Sequence, residues 1–112
     1  MRRYVQVLLI DPDADFRRRF KREVEGVGRA EVAICSLGRN AALLAGFIQF
    51  DAVFASAAAE LRYEVVSERI RKNLADSAFY VYGVEVGRHG DFLPLSADAA
   101  IATAQAVVLS HR

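Results

Sequence analysis

The sequence predicts an α/β domain, a three-layer sandwich in which helices flank a mostly parallel five-stranded sheet. Three observations lead there. Short apolar runs alternate with longer segments of helical periodicity along the whole chain of 112 residues. The first and third runs are short and predominantly apolar, as strands buried on both faces tend to be. Turn or capping residues separate most runs from the helical segments, and that alternation makes neighbouring strands parallel with helices on both sides.

The elements follow in order. Tyr4 to Ile10 is rich in Val, Leu and Ile with Gln6 its one polar interruption, and reads as the first strand. Asp11-Pro12-Asp13 ends it, and Asp13 is placed to accept hydrogen bonds from the free N–H groups of a following helix. That helix runs from Ala14 to Val27, with Phe16, Phe20 and Val24 on one stripe and Gly26 and Gly28 stopping it. Ala30 to Leu37 is the second strand, Val32 and Ile34 on one face and Ala33 and Cys35 on the other. Gly38 and Asn40 open a second helix through Ala41, Leu44 and Ile48. Phe50 to Ala55 is the third, central strand. A third helix covers Ala58 to Ala75, Ala78 to Val86 is a fourth strand, and Asp91 to Leu95 is a short fifth one. Ala97 to Leu109 is the last helix, with Ile101, Ala104 and Val108 inward. With no repeat, linker or low-complexity segment, residues 1–112 read as one domain.

Composition narrows the function. Hydrophobic residues make up 54% of the chain, enough for a packed core. The formal net charge is +1, without the concentrated basic surface of a nucleic-acid binder. The single cysteine, Cys35, rules out an intrachain disulfide and suits a cytoplasmic location. No apolar run reaches the ~18–20 residues of a membrane span. The basic Met1-Arg2-Arg3 start precedes a run that ends at Asp11, which reads as a strand and not as a signal peptide.

Several of these runs, in this order, resemble the receiver domains of two-component response regulators. Val7-Leu8-Leu9-Ile10-Asp11 looks like that family's first strand with its acidic end. Ser36-Leu37-Gly38 with Ala41 and Leu44 resembles the second strand running into the second helix. Phe50-Asp51-Ala52-Val53-Phe54-Ala55-Ser56 resembles the third strand, and Gly90-Asp91-Phe92-Leu93 the fifth. The resemblance covers nearly the whole chain and implies a flavodoxin-like, receiver-like fold in a signalling protein.

The departures from that pattern bear on activity. The position of the family's phosphoacceptor aspartate falls on Ser56, and the second member of its acidic pair on Pro12. The hydroxyl residue ending the fourth strand falls near Gly83, and the lysine after the fifth strand on Leu95. Phosphoryl transfer from a phosphohistidine needs a carboxylate nucleophile and a divalent cation to spread charge on the transferring oxygens. Pro12 brings no ligand oxygen, Ser56 no anionic one, and Leu95 no cation. Asp11 and Asp13 remain as a residual acidic pocket, although their simpler reading is a strand-end carboxylate and a helix cap, since a hard cation wants more oxygens. The expectation is therefore a pseudo-receiver that has lost aspartyl phosphorylation.

A further departure concerns shape. Only Gly87 to Gly90 separates the fourth and fifth strands, whereas a parallel crossover needs about a dozen residues. The family's fourth helix is then shortened or missing. Either it is reduced to a loop, or Gly87-Arg88-His89-Gly90 forms a hairpin and the last strand is antiparallel; the hairpin is favoured.

Other residues invite a functional reading beside a plainer one. Ser56 as a nucleophile lacks a base beside it in sequence, and His89 and His111 lie in turn and tail; a serine bonded to local backbone is favoured. Arg17, Arg18, Arg19, Lys21 and Arg22 could dock an acidic partner, but neighbouring Asp15, Glu23 and Glu25 favour a solvated face with local ion pairs. Tyr63, Tyr80 and Tyr82 could line a pocket; core packing with a hydroxyl at the rim is preferred for the last two, which share a strand face. Cys35 is expected to be buried and inert. His89 has no second ligand at metal-binding spacing.

The function expected is a phosphorylation-independent signalling and regulatory module of two-component type. Its partner would be a protein: a kinase, an effector domain or a second copy of the chain. A homodimer is among the expected assemblies, because an exposed last strand invites pairing. Neither nucleic acid nor membrane is an expected partner, and no cofactor, metal or catalytic residue is assigned. The alternative is a small-molecule sensor, its ligand at the carboxyl ends of the strands beside Asp11, Ser56, Gly83 and Asp91.

Overall fold

The structure, a computed structural model, describes residues 4–36, 44, 47–56, 78–83 and 96–110. Everything in it is arranged around the first strand, β1 (Val5–Ile10), which is flanked by β2 (Ala30–Cys35) and by β3 (Ala52–Ser56). β4 (Ala78–Tyr82) pairs with β3, so the sheet order is β2-β1-β3-β4, and every pair is parallel. Helix α1 (Ala14–Glu25) connects β1 to β2, and helix α2 (Ala97–Ser110) closes the described chain.

A strand with neighbours on both edges and a packed core on each face has no polar side, which is why β1 reads as an apolar run interrupted only by Gln6. Its alternate residues enter two cores. Val5, Val7 and Leu9 meet Phe20 and Val24 of α1, Ala52 and Phe54 of β3, and Ala100, Ile101, Ala104 and Val108 of α2. Leu8 and Ile10 point the other way, to Cys35, Phe50, Val53 and Ala55, with Leu44 and Ile48 packed against them. The division expected in β2 follows: Val32 and Ile34 lie with the first core, Ala33 and Cys35 with the second.

Gln6, the polar exception in β1, is joined to Asp51. The Asp51 N–H donates to the Gln6 carbonyl at 2.7 Å, and the Gln6 N–H donates to Asp51 Oδ2 at 2.8 Å. A side chain thus completes the ladder where β3 begins. This moves the start of the strand from the expected Phe50 to Ala52, while Phe50 stays buried in the second core. The strand also reaches one residue further than expected, to Ser56.

Helix α1 starts as its sequence indicates. Asp13 Oδ1 accepts from the N–H groups of Asp15 at 2.9 Å and Phe16 at 3.3 Å. It stops at Glu25, two residues before the expected Val27, with Gly26 still in right-handed backbone. Gly28 lies where a Cβ would come 3.3 Å from Val108, so the turn passes close to α2. The expected stripe is buried through Phe20 and Val24, with Phe16 half-buried. A chain of rings continues it: Phe16 and Phe20 lie 6.1 Å apart, Phe20 and Phe54 5.5 Å, and Phe54 stacks on Tyr80 at 4.8 Å.

The basic residues of α1 form the expected local ion pairs, Arg18 with Asp15, Arg19 with Glu23 and Lys21 with Glu25. Three of them also do more than solvate a face. Arg19 bonds Asp98 of α2 at 2.7 Å, Arg17 donates to the Asp11 carbonyl at 2.7 Å, and Lys21 donates to the Val32 carbonyl at 2.8 Å. At its own N-terminus α2 is capped by Ser96, whose Oγ accepts from the Ala99 N–H at 3.0 Å.

The sequence predicts a fourth strand running to Val86. In the described residues it ends at Tyr82, and Gly83 turns the backbone into the left-handed region with φ 75°. The third helix, the fifth strand, the Gly87 to Gly90 connection and most of the second helix lie outside the described residues, as do Tyr63, His89, Leu95 and His111. Among the described residues no helix is long and apolar enough to cross a membrane.

Phe20 is fully buried at the contact of α1, β1 and β3. Phe20→Ala is expected to destabilise the chain by about 3–5 kcal/mol, a large share of a small domain's stability, in urea unfolding followed by circular dichroism.

Candidate functional site

The register of the sheet assembles a row at its carboxyl edge. Ile10 pairs with Ala55, so the next residues, Asp11 and Ser56, stand level. Ser56 pairs with Tyr82. By the alternation of strand side chains, all three belong to the α1 face: Asp11 follows Val7 and Leu9, Ser56 follows Ala52 and Phe54, and Tyr82 follows Tyr80. The row is therefore Asp11, Ser56, Tyr82 across three adjacent strands.

Neighbouring strands are about 4.8 Å apart, so the outer two backbones are separated by roughly 10 Å. A phenol on one side and a carboxylate on the other can close that gap, and they do. The Tyr82 hydroxyl donates to Asp11 Oδ2. The other oxygen, Oδ1, accepts the Asp13 N–H at 2.8 Å. Asp11 is only 6% exposed, and a carboxylate at that depth requires such partners. Arg17, one turn into α1, donates from Nη1 to the Asp11 carbonyl and brings a positive charge to the end of β1. The Phe16 ring lies 5.5 Å from that of Tyr82 and covers it from the helix side.

The residues singled out by sequence fall around this row. Asp11 and Ser56 are both buried and stand next to each other. Asp13 is exposed, and its carboxylate caps α1. Pro12 is exposed between them and offers no side-chain oxygen. Gly83 follows the row directly at the end of β4. Leu95 lies outside the described residues. Among the described residues, no three His, Cys, Asp or Glu side chains gather where they could hold a metal ion.

Tyr82 packs in the first core with its hydroxyl at the rim, as expected, but the sequence did not reveal its partner. Its position as the last residue of a strand, with the parity of Tyr80, was the available signal. Arg17 was hidden among five basic residues; its spacing of one helical turn from the cap marks it out.

Cys35 lies near the same edge on β2. It is buried, its Sγ donates to the Leu9 carbonyl at 3.6 Å, and burial pushes its pKa up to about 11 although the Arg17 charge pulls the other way.

No family model and no curated protein matches the chain by sequence. Solved structures do. The chain is similar to the chemotaxis response regulator CheY4 of Vibrio cholerae, with a TM-score of 0.74 at 15% identity, over 94% of this chain and 99% of that one. It is similar also to a response regulator from Thermotoga maritima, with a TM-score of 0.72 at 15% identity, over 96% of this chain and 99% of that one. At this level of identity the likeness establishes the fold, which is receiver-like and flavodoxin-like, with a parallel sheet.

Removing the phenolic hydroxyl leaves Asp11 one donor short. Tyr82→Phe is expected to cost about 1–3 kcal/mol in urea unfolding. Cys35 is expected to resist iodoacetamide at pH 8 in the native chain and to react promptly once unfolded, because little thiolate forms at a pKa near 11. Mass spectrometry of the alkylated fraction measures it.

Proposed function

We propose that this chain is a pseudo-receiver, a regulatory protein–protein interaction module of two-component signalling that works without aspartyl phosphorylation. One observation carries the reading. The Asp11 carboxylate, the acidic group left at the carboxyl edge of β1, is already bound through both oxygens, to the Tyr82 hydroxyl and the Asp13 N–H.

The chemistry supports it. A phosphoaspartyl reaction requires an anionic oxygen to attack phosphorus, and the residue at the corresponding strand end is Ser56. It requires a divalent cation, which takes mainly carboxylate and water oxygens. A cation drawing on Asp11 would compete with the phenol and the Asp13 N–H for oxygens already engaged, and Pro12 adds no ligand in return. Arg17 also supplies a fixed positive charge at the end of β1, where charge balance would otherwise invite a cation. The module is accordingly not read as an enzyme, and it takes no cofactor. Its partner is a kinase, an effector domain or another copy of the chain, in the cytoplasm.

A small-molecule sensor would use the same edge. The Tyr82 phenol and the Phe16 ring occupy the space between β1 and β4 on the α1 face, so the interaction module is the better reading.

The test is to titrate the ¹⁵N-labelled chain with beryllofluoride and Mg²⁺, or with acetyl phosphate and Mg²⁺, and to follow its amide spectrum. The expected result is an unchanged spectrum at Asp11, Ser56 and Gly83. Saturable shifts clustered at those amides, or a phosphate bound to the chain by mass, would overturn the proposal.

A further inference from the structure

Strand β2 ends the sheet order, so among the described residues one of its edges has no strand beside it. In a parallel pair, alternate residues turn their backbone groups toward the neighbour. The Arg29 and Cys35 carbonyls accept from Val5 and Asp11, which directs the odd-numbered positions to β1 and the even-numbered ones outward. Ala30, Val32 and Ile34 therefore present the outer edge. An edge of this kind is a template on which another strand can add.

The middle of that edge is already occupied. The Val32 N–H donates to Glu25 Oε2 at 2.9 Å, and the Val32 carbonyl accepts from Lys21 Nζ at 2.8 Å. The same two side chains form an ion pair at 2.9 Å. A donor and an acceptor, one turn apart on α1, thus take both backbone groups that an incoming strand would need. Glu25 is held below the usual carboxylate range: burial raises it, but the bonds from Lys21 and the Val32 N–H outweigh that. The carboxylate is thereby kept charged and ready to accept. Nearer the start of the strand, the Ala30 N–H is turned back onto the Gly28 carbonyl at 3.0 Å.

The sequence of β2 shows what would add if this cover were removed. Two copies related by a two-fold axis can pair β2 antiparallel about Val32, each Val32 donating to and accepting from the other. That contact is self-complementary, as a closed dimer requires. In this register Glu31 faces Ala33 of the partner strand and Ala30 faces Ile34, so no like charges stand opposite each other. We infer that Lys21 and Glu25 guard the β2 edge against a second copy of this chain, closing by side chains a strand interface that the backbone alone would form. This edge lies apart from the Asp11, Ser56, Tyr82 row, and its behaviour does not depend on phosphoryl chemistry.

Light scattering of the intact chain, of K21A/E25A and of D15A/R18A over a range of concentrations tests it. D15A/R18A removes another ion pair of α1 and leaves the edge untouched. K21A/E25A is expected to form a dimer at least tenfold tighter than either of the others, with the Val32 amide protected from exchange in that dimer. Glu25→Gln keeps an acceptor for the Val32 N–H and is expected to behave as the intact chain. An unchanged mass for K21A/E25A, equal association of D15A/R18A, or open-ended aggregation in place of a dimer would each overturn the inference. If K21A/E25A fails to fold, the decision passes to hydrogen exchange of the intact chain. The Val32 amide is then expected to exchange at least tenfold slower than an unstructured amide, and exchange at the unstructured rate refutes the guard.

Discussion

A carboxylate taken out of water has to be met by donors, and the arrangement at the carboxyl edge of the sheet follows from meeting the one on Asp11. The Asp13 N–H and the Tyr82 hydroxyl do so from opposite sides. The first contact fixes the turn that launches α1. The second ties the end of β4 to the end of β1 across the strand between them. The bond thus does structural work with the same group that an acidic phosphotransfer site would reserve for a cation. A cation at this carboxylate would compete with both donors for the same two oxygens, and this competition is the physical basis for the functional reading.

Helix α1 connects the remaining parts. Its apolar stripe fills the first core through Phe20 and Val24. Its charged residues reach outward in three directions: Arg17 to the end of β1, Arg19 to Asp98 of α2, and Lys21 with Glu25 to the outer edge of β2. Isolated surface ion pairs contribute little to stability. Here several of them also bond backbone groups or a second helix. Their value lies in placing α1 against the sheet and in covering polar groups that the sheet leaves open.

Much of the fold was legible because burial on both faces leaves a plain mark. The apolar run of β1, the Phe16, Phe20, Val24 stripe and the Asp13 cap each follow from local rules, and all are found in the structure. At the start of β3 a distant residue overrode the local pattern, because Asp51 bonds Gln6, 45 positions away. The end of β4 was set locally, by Gly83 taking left-handed backbone. The candidate site was legible as a set of positions, Asp11 and Ser56 among them, but not as a set of bonds.

From sequence alone came the alternation of strands and helices, the two-faced burial of β1 and the identity of the groups at the strand ends, since these depend on periodicity and residue chemistry. Tertiary structure decided which of those groups meet. Asp11 and Tyr82 are 71 positions apart and become neighbours only when parallel register sets three strand ends level. Lys21 and Glu25 read as an ordinary helical ion pair until the edge of β2 is laid beside them. Side-chain chemistry is a property of the residue, but the partner that satisfies it is a property of the packing.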